Sequence, residues 1–242
     1  MTQTQPAKPH QVRTCAELAE QSEEYRSAVE KLVISHAINE LHGARVFDEP
    51  AIALAPGPYA KWQTCRVAME EYGHHCRFFE LGREIGIAAD RMLPERTRKR
   101  PLSLFEHPMD GWEEFVAIKL LGDLAEILQV EDLLHCSFHP LRNLARATMP
   151  EEKFHHQFGV EFGGELVKTA AGRARLQKAV DKVFPGVPPF FGSAGSRNNE
   201  VFRRTGLKLR TNEDMRRDYI ERATAAAAGL GLSLPPAGAA AH

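Results

Sequence analysis

Apolar residues along this chain recur at the three-and-four spacing that lines one face of a helix, and they predict a run of long helices followed by shorter ones. The first runs from Ala16 or Glu23 to Gly43, with Val33, Ala37, Leu41 and Ala44 on its apolar side and Glu40 among them. The loop Asp48 to Pro58, carrying Pro50, Pro56, Gly57 and Pro58, stops it and starts a second helix over Tyr59 to Gly86. The stripe of that helix reads Val67, Ala68, Glu71, His74, Phe78, Leu81 and Ile85. After a long connection over 87–109, a third helix starts at Asp110 with Glu113 in capping-box position, and Trp112, Val116, Leu120, Asp123, Ile127 and Val130 share one face. A fourth covers Pro140 to Ala171, continued on its apolar side by Phe158, Phe162 and Leu166. Pro150 predicts either a bend there or a restart with the proline in a first turn. A fifth helix over Gly172 to Phe184 precedes the Pro185–Gly192 loop, and a last one begins at a Thr211 cap and ends near Gly229. Residues 1–15 read as a disordered lead-in, 16–230 as one helical domain and 231–242 as a loose tail.

The pattern is interrupted by charge in a consistent way. Each long stripe carries acids or histidines where an apolar residue would serve, and a carboxylate aimed into a core is costly unless it is paired or bound to a metal. A frame one position off would leave Glu40 in solvent. Two near-identical hexapeptides stand out, Glu70-Glu71-Tyr72-Gly73-His74-His75 and Glu151-Glu152-Lys153-Phe154-His155-His156. Residues three apart share a helix face, so Glu71 with His74, and Glu152 with His155, can each present an oxygen and a nitrogen to one point. With one acid about a helix and a loop upstream of each, Glu40 and Asp123, this is the ligand pattern of a carboxylate-rich di-iron centre in a ferritin-like four-helix bundle. Glu126, one turn after Asp123, is a rival ligand; Asp123 is preferred because it sits centrally in its stripe. Asp132 with His135 has the wrong acid and no matching partner. Four carboxylates to two imidazoles suit iron or manganese at an open site better than zinc.

Glu70, Glu151, His75 and His156 flank the ligand positions and read as groups that support the ligands from behind or face solvent. Gly73 costs about 1 kcal/mol in a helix, and one reading is that it leaves room beside the metals for oxygen or substrate. Tyr72 lies between two ligands in sequence, which turns its ring away. His36, His42 and His139 read as packed or exposed histidines.

Composition narrows the rest. A formal net charge of −1 over 242 residues argues against nucleic acid as the main partner. No apolar run approaches ~18 residues, so no membrane span is expected. Met1 to His10 are polar without a signal-peptide core, which points to a cytoplasmic protein. Cys15, Cys65, Cys76 and Cys136 show no Cys-x-x-Cys spacing and read as reduced core thiols. The basic run Arg96 to Arg100 reads as a solvated loop or as a contact for an anionic ligand tail or acidic partner. With no P-loop, no dinucleotide fingerprint and no cysteine cluster, the chain is expected to bind no flavin, NAD or haem.

Several blocks then fall into a familiar order: Ile38-Asn39-Glu40-Leu41-His42-Gly43, Met69 to His75, Leu121-Gly122-Asp123, His135-Cys136-Ser137-Phe138, Glu151 to Gly159, Arg210 to Arg216, and Gly231 to Pro235. Together they resemble the catalytic subunit of bacterial phenylacetyl-CoA epoxidase, of the phenylacetic acid catabolic protein family and the ferritin-like superfamily. The resemblance spans residues 30–236. It implies an all-α, ferritin-like four-helix bundle core with additional C-terminal helices, and two irons held by Glu40, Glu71, His74, Asp123, Glu152 and His155. It further implies activation of dioxygen and transfer of one oxygen atom across a ring double bond of an aromatic acyl-CoA, the other leaving as water. The implied partners are a homologous, metal-free structural subunit and a separate flavin and iron–sulfur reductase. Pro150, the 87–109 connection and the Pro-Pro-Phe-Phe segment depart from the pattern and leave the acyl-CoA open. Another ferritin-like oxidase or peroxidase, or a structural relative without metals, are the alternatives.

Overall fold

A computed structural model describes residues 11–96, 103–106 and 109–236. Among these the regular structure is helical, apart from an isolated parallel bridge between Val12 and Phe138. The order is α1 (Cys15–Ala19), α2 (Glu23–Gly43), a π-helical turn (Ala44–Asp48), α3 (Glu49–Leu54), α4 (Pro58–Glu84), α5 (Trp112–Leu133), α6 (His139–Leu166), α7 (Ala170–Val183), α8 (Arg197–Arg204) and α9 (Asn212–Gly229), with short 3-10 turns in the connections. Helices α2, α4, α5 and α6 form the bundle, α2 packing chiefly on α4 and α5 on α6. α7 and α9 pack on the outer side of α5.

The ends follow local chemistry. Ser22 accepts the Tyr25 N–H before α2, and Glu23 and Glu24 sit in its positive first turn. Pro58 opens α4, where its missing N–H costs nothing. Thr211 caps α9 as its sequence predicts, accepting the Asp214 N–H at 2.9 Å. At the third long helix the reading shifts: α5 begins at Trp112, and it is Glu114 that takes the Asp110 N–H. α6 neither restarts nor breaks at Pro150. That proline and Arg146 are both exposed, so the carbonyl that loses its intrahelical donor faces solvent.

The Asp48–Pro58 stretch does not simply stop the first helix. The backbone widens into the π turn and continues as α3, leaving only Ala55 to Gly57 as a connection. The first and last described stretches are fastened to the bundle. Val12 is fully buried, its N–H bonded to Ser137 O (2.9 Å) and its carbonyl to His139 N–H (2.8 Å). Leu232 is buried and Ser233 is held by Gln177. Residues 1–10, 97–102, 107–108 and 237–242, including most of the basic run, lie outside the described residues. Of the thiols, Cys136 is buried, but Cys65 and Cys76 are exposed on α4 rather than in the core. No helix among the described residues is long and apolar enough to cross a membrane.

Two apolar clusters make the core. One gathers Val67, Phe115, Leu121, Phe158 and Phe162 with Tyr219 of α9; the other gathers Val29, Leu32, Phe78, Leu81, Leu133 and Leu141. Each fully buried side chain of this kind contributes roughly 1.5–3 kcal/mol. α4 and α6 each cross from one cluster to the other, and at each crossing lies a Glu–His pair, Glu71 with His74 and Glu152 with His155; Glu40 lies on α2 beyond its share of the second cluster, and Asp123 lies on α5 within its share of the first.

Candidate metal centre

These six side chains are buried, Glu152, His74 and His155 completely. One donor atom from each of Glu40, Glu71, His74 and Glu152 lies within 4.8 Å of the others, and the same holds for Glu71, Asp123 and His155. Glu71 therefore faces both groups, with Oε2 3.5 Å from His74 Nδ1 and Oε1 3.1 Å from His155 Nδ1. Glu152 also spans them, 3.1 Å from His74 Nδ1 and 3.9 Å from His155 Nδ1. The imidazole centroids are 5.7 Å apart.

What fixes the histidines is a crossed pair of carboxylates. Glu151, from the second hexapeptide, accepts from His74 Nε2 of the first at 2.8 Å, and Glu70, from the first, accepts from His155 Nε2 of the second at 2.9 Å. Arg77 grips Glu151 through both oxygens (2.5 and 2.9 Å), and Arg66 holds Glu70 at 2.8 Å. Burial works against charge on Glu151, but the bonds from His74 and Arg77 hold its carboxyl down at about 2. Glu70 is lowered in the same way, against burial, by His155 and Arg66. The remaining histidines of the motifs anchor backbone: His75 Nδ1 donates to Ala37 O (2.7 Å) and His156 Nδ1 to Leu120 O (3.0 Å).

With Nε2 as donor, a neutral imidazole turns the lone pair of Nδ1 inward. Nδ1 of His74 and of His155, both oxygens of Glu152, Oδ2 of Asp123 and Oε2 of Glu126 are buried without a hydrogen-bond partner. Lone pairs thus face lone pairs at hydrogen-bond distance, an arrangement that only a positive species between them relieves. Protons can do so: burial disfavours charge on His155, yet Glu71 and Glu70 outweigh it and raise its pKa to about 10. His74 is raised as well, against burial, by Glu151, Glu152 and Glu40. Burial, aided by neighbouring carboxylates, raises Asp123, Glu126 and Glu152. A divalent metal would serve the same need, and carboxylate plus imidazole donors, with the outer nitrogens held by carboxylates, fit iron.

Other residues singled out in the sequence lie around the centre. A Cβ at Gly73 would meet only Arg77, 3.9 Å away, and Gly73 lines neither the large cavity nor the recess over the carboxylates. His36 is packed, stacked on Phe78 at 4.8 Å, but it also lies 3.9 Å from Glu40 and groups with Glu40 and Glu126. Tyr72 points outward to Glu49. Asp132, next to the unmatched His135, instead ties down the C-terminal segment through the N–H groups of Leu209 and Arg210. Two residues escaped notice. Lys119 reaches Asp48 Oδ1 at 2.8 Å and Glu71 Oε1 and Asp123 Oδ1 at 3.1 Å. Its signal was a lysine inside the unbroken apolar stripe Phe115 to Leu121; Asp48, placed by the π turn, left none.

A four-helix bundle with a Glu-x-x-His pair on each of two helices and a buried acid on each of the other two is a ferritin-like arrangement, and its buried Glu/His cluster has the donor set to hold a metal. The fold agrees with that of a protein described as protein 19 with aldehyde deformylating oxidase activity from Synechococcus (TM-score 0.68, 20% identity, 88% of this chain and 93% of that one). The chain belongs to the phenylacetic acid catabolic protein family, whose model matches residues 7–242. No curated protein matches its sequence.

Proposed function

We propose that this chain is the catalytic subunit of a multicomponent di-iron oxygenase that epoxidises the ring of an aromatic acyl-CoA, phenylacetyl-CoA or a relative. The observation that carries this reading is the set of buried Nδ1 and carboxylate oxygen atoms that converge without a hydrogen-bond partner. Glu40, Glu71, His74 and Glu152 would hold one iron, and Glu71, Asp123, His155 and Glu152 the other. Once bound, the iron pair supplies dioxygen activation. The chain's own part is to fix the imidazoles through Glu151 and Glu70, to keep the donor set out of water, and to receive the substrate.

For that last role the best candidate is a cavity of about 580 Å³ beside α2, walled by His36, Asn39, Phe105, Phe190, Phe202 and Lys208. Asn39, Phe105 and Phe190 also line the small recess over Glu40, Asp123 and Glu126, so they stand between cavity and carboxylates. Aromatic walls suit an aromatic acyl group. Electrons would come from a separate flavin and iron–sulfur reductase, beside a homologous structural subunit, in the cytoplasm.

The test is mass spectrometry of products from a panel of acyl-CoA thioesters, with the iron-loaded chain, such a partner and a reductase. An aromatic acyl-CoA gaining one oxygen from labelled dioxygen is the expected result. Iron oxidation that consumes oxygen equally with and without thioester, and leaves the thioester unchanged, would replace this reading by a ferroxidase.

A further inference from the structure

Lys119 has no place in that ligand set, yet its side chain is 3% exposed and its ammonium contacts three carboxylates. Two of the three, Glu71 and Asp123, are donors of the His155 half. Glu71 is shared with the other half, but the oxygen that Lys119 holds, Oε1, is the one toward His155, while Oε2 faces His74; among the described residues, the positive partners of Glu40 and Glu152 are imidazoles. A cation entering the Glu40, Glu71, His74 and Glu152 group meets converging oxygens and a free Nδ1. One entering the Glu71, Asp123 and His155 group meets a positive charge already seated on two of its three donors. Like charges a few ångströms apart in a buried site repel strongly.

The position of Asp48 completes the device. It is 1% exposed and closest of the three acids to Nζ, and it stands at the end of the π turn that follows α2. Such turns concentrate at functional sites because the extra residue re-aims a side chain. Asp48 can therefore keep the ammonium after Glu71 and Asp123 have turned to a metal.

We propose that Lys119 is a built-in counter-ion that makes the two halves fill in order. The His74 half takes metal first. The His155 half fills only as the ammonium releases Glu71 and Asp123 and remains on Asp48. This rests on reading the cluster as a metal centre.

Anaerobic titration of the metal-free chain with Co²⁺, followed by cobalt absorption and calorimetry, tests it. The wild-type chain should bind two equivalents, the second at least about tenfold more weakly, given a unit charge at the second position. K119M should tighten the second step by about tenfold while moving the first much less. D48N should act in the opposite sense, weakening the second step, because Lys119 then leans wholly on Glu71 and Asp123. Circular dichroism and thermal melts establish that each variant folds; if K119M does not, the wild-type steps and D48N decide. Two equal steps in the wild type, or a second step that neither variant moves, overturn the role of Lys119 and leave the metal centre standing. No cobalt bound by the wild type overturns both.

Discussion

Two turns after its proposed ligand glutamate, α4 carries Phe78 while α6 carries Gly159, and the helix pairs close differently around these positions. Phe78 stacks on His36 and holds α2 off by the thickness of a ring. At Gly159 the backbone of α5 comes so near that a Cβ would lie 2.3 Å from the amide nitrogen of Leu120. The charges differ in the same sense. On the α2–α4 side His36 and Glu40 group with Glu126 of α5, and His36 borders the large cavity, whereas Lys119 of α5 is tied to Asp123 and to Asp48 of the π turn. One half thus adjoins the large cavity through His36, and the other carries an internal counter-ion beside closely packed helices. A duplicated motif need not give two equivalent sites; the helix contacts behind it decide.

The strongest way to break the comparison is Glu71→Ala, since Glu71 faces both imidazoles. The expected outcome is loss of both metals and of turnover with helicity kept, read by metal analysis and circular dichroism; iron retained at full stoichiometry would refute the assignment. His155→Ala should differ by sparing the first metal. Next comes Gly159→Ala, which should cost on the order of 3 kcal/mol through overpacking of α5 on α6, measured by urea denaturation. Glu151→Gln should weaken metal at the His74 half by about 10–100-fold, and Glu70→Gln should do so at the His155 half. Equal losses at both halves from either variant would argue against the crossed arrangement.

A milder effect is expected from pH. Burial raises the Asp48 carboxyl to about 6, with Lys119 opposing, and burial also raises Asp123, Glu126 and Glu152. An acid whose folded pKa lies above its unfolded value stabilises the fold when protonated, and that contribution is lost as pH rises through the folded value. The metal-free chain should therefore melt at lower temperature at about pH 7 than at about pH 5, and metal should abolish this trend. A metal-free melting temperature that rises over that interval would contradict the raised acids. Smallest of all, Gly73→Ala should be neutral or stabilising by up to about 1 kcal/mol, because its Cβ position is open.

These contrasts also show what could be read from sequence. The bundle was legible because its stripes are long, and the acids and histidines were legible because they interrupt those stripes at matching places. For Gly73, helix propensity reports a cost without saying which way the position faces. Lys119 was passed over because lysines usually reach solvent, and only packing from α4 and the π turn shows that this one does not. The π turn itself leaves no periodic trace in five residues, and the short α3 and α8 fall below the length at which spacing identifies a helix. Glu70 and Glu151 were visible as neighbours of the ligands, but their exchange between motifs exists only in three dimensions.

That exchange has a consequence for assembly. A hairpin of α2 and α4 alone would present His74 with no acceptor for its outer nitrogen, and a hairpin of α5 and α6 would leave His155 in the same state. Neither fragment can orient its own imidazole, so metal capture at the proposed centre would be a property of the fully docked bundle and not of either half-molecule. A nascent chain would be spared from trapping metal before its fold is complete.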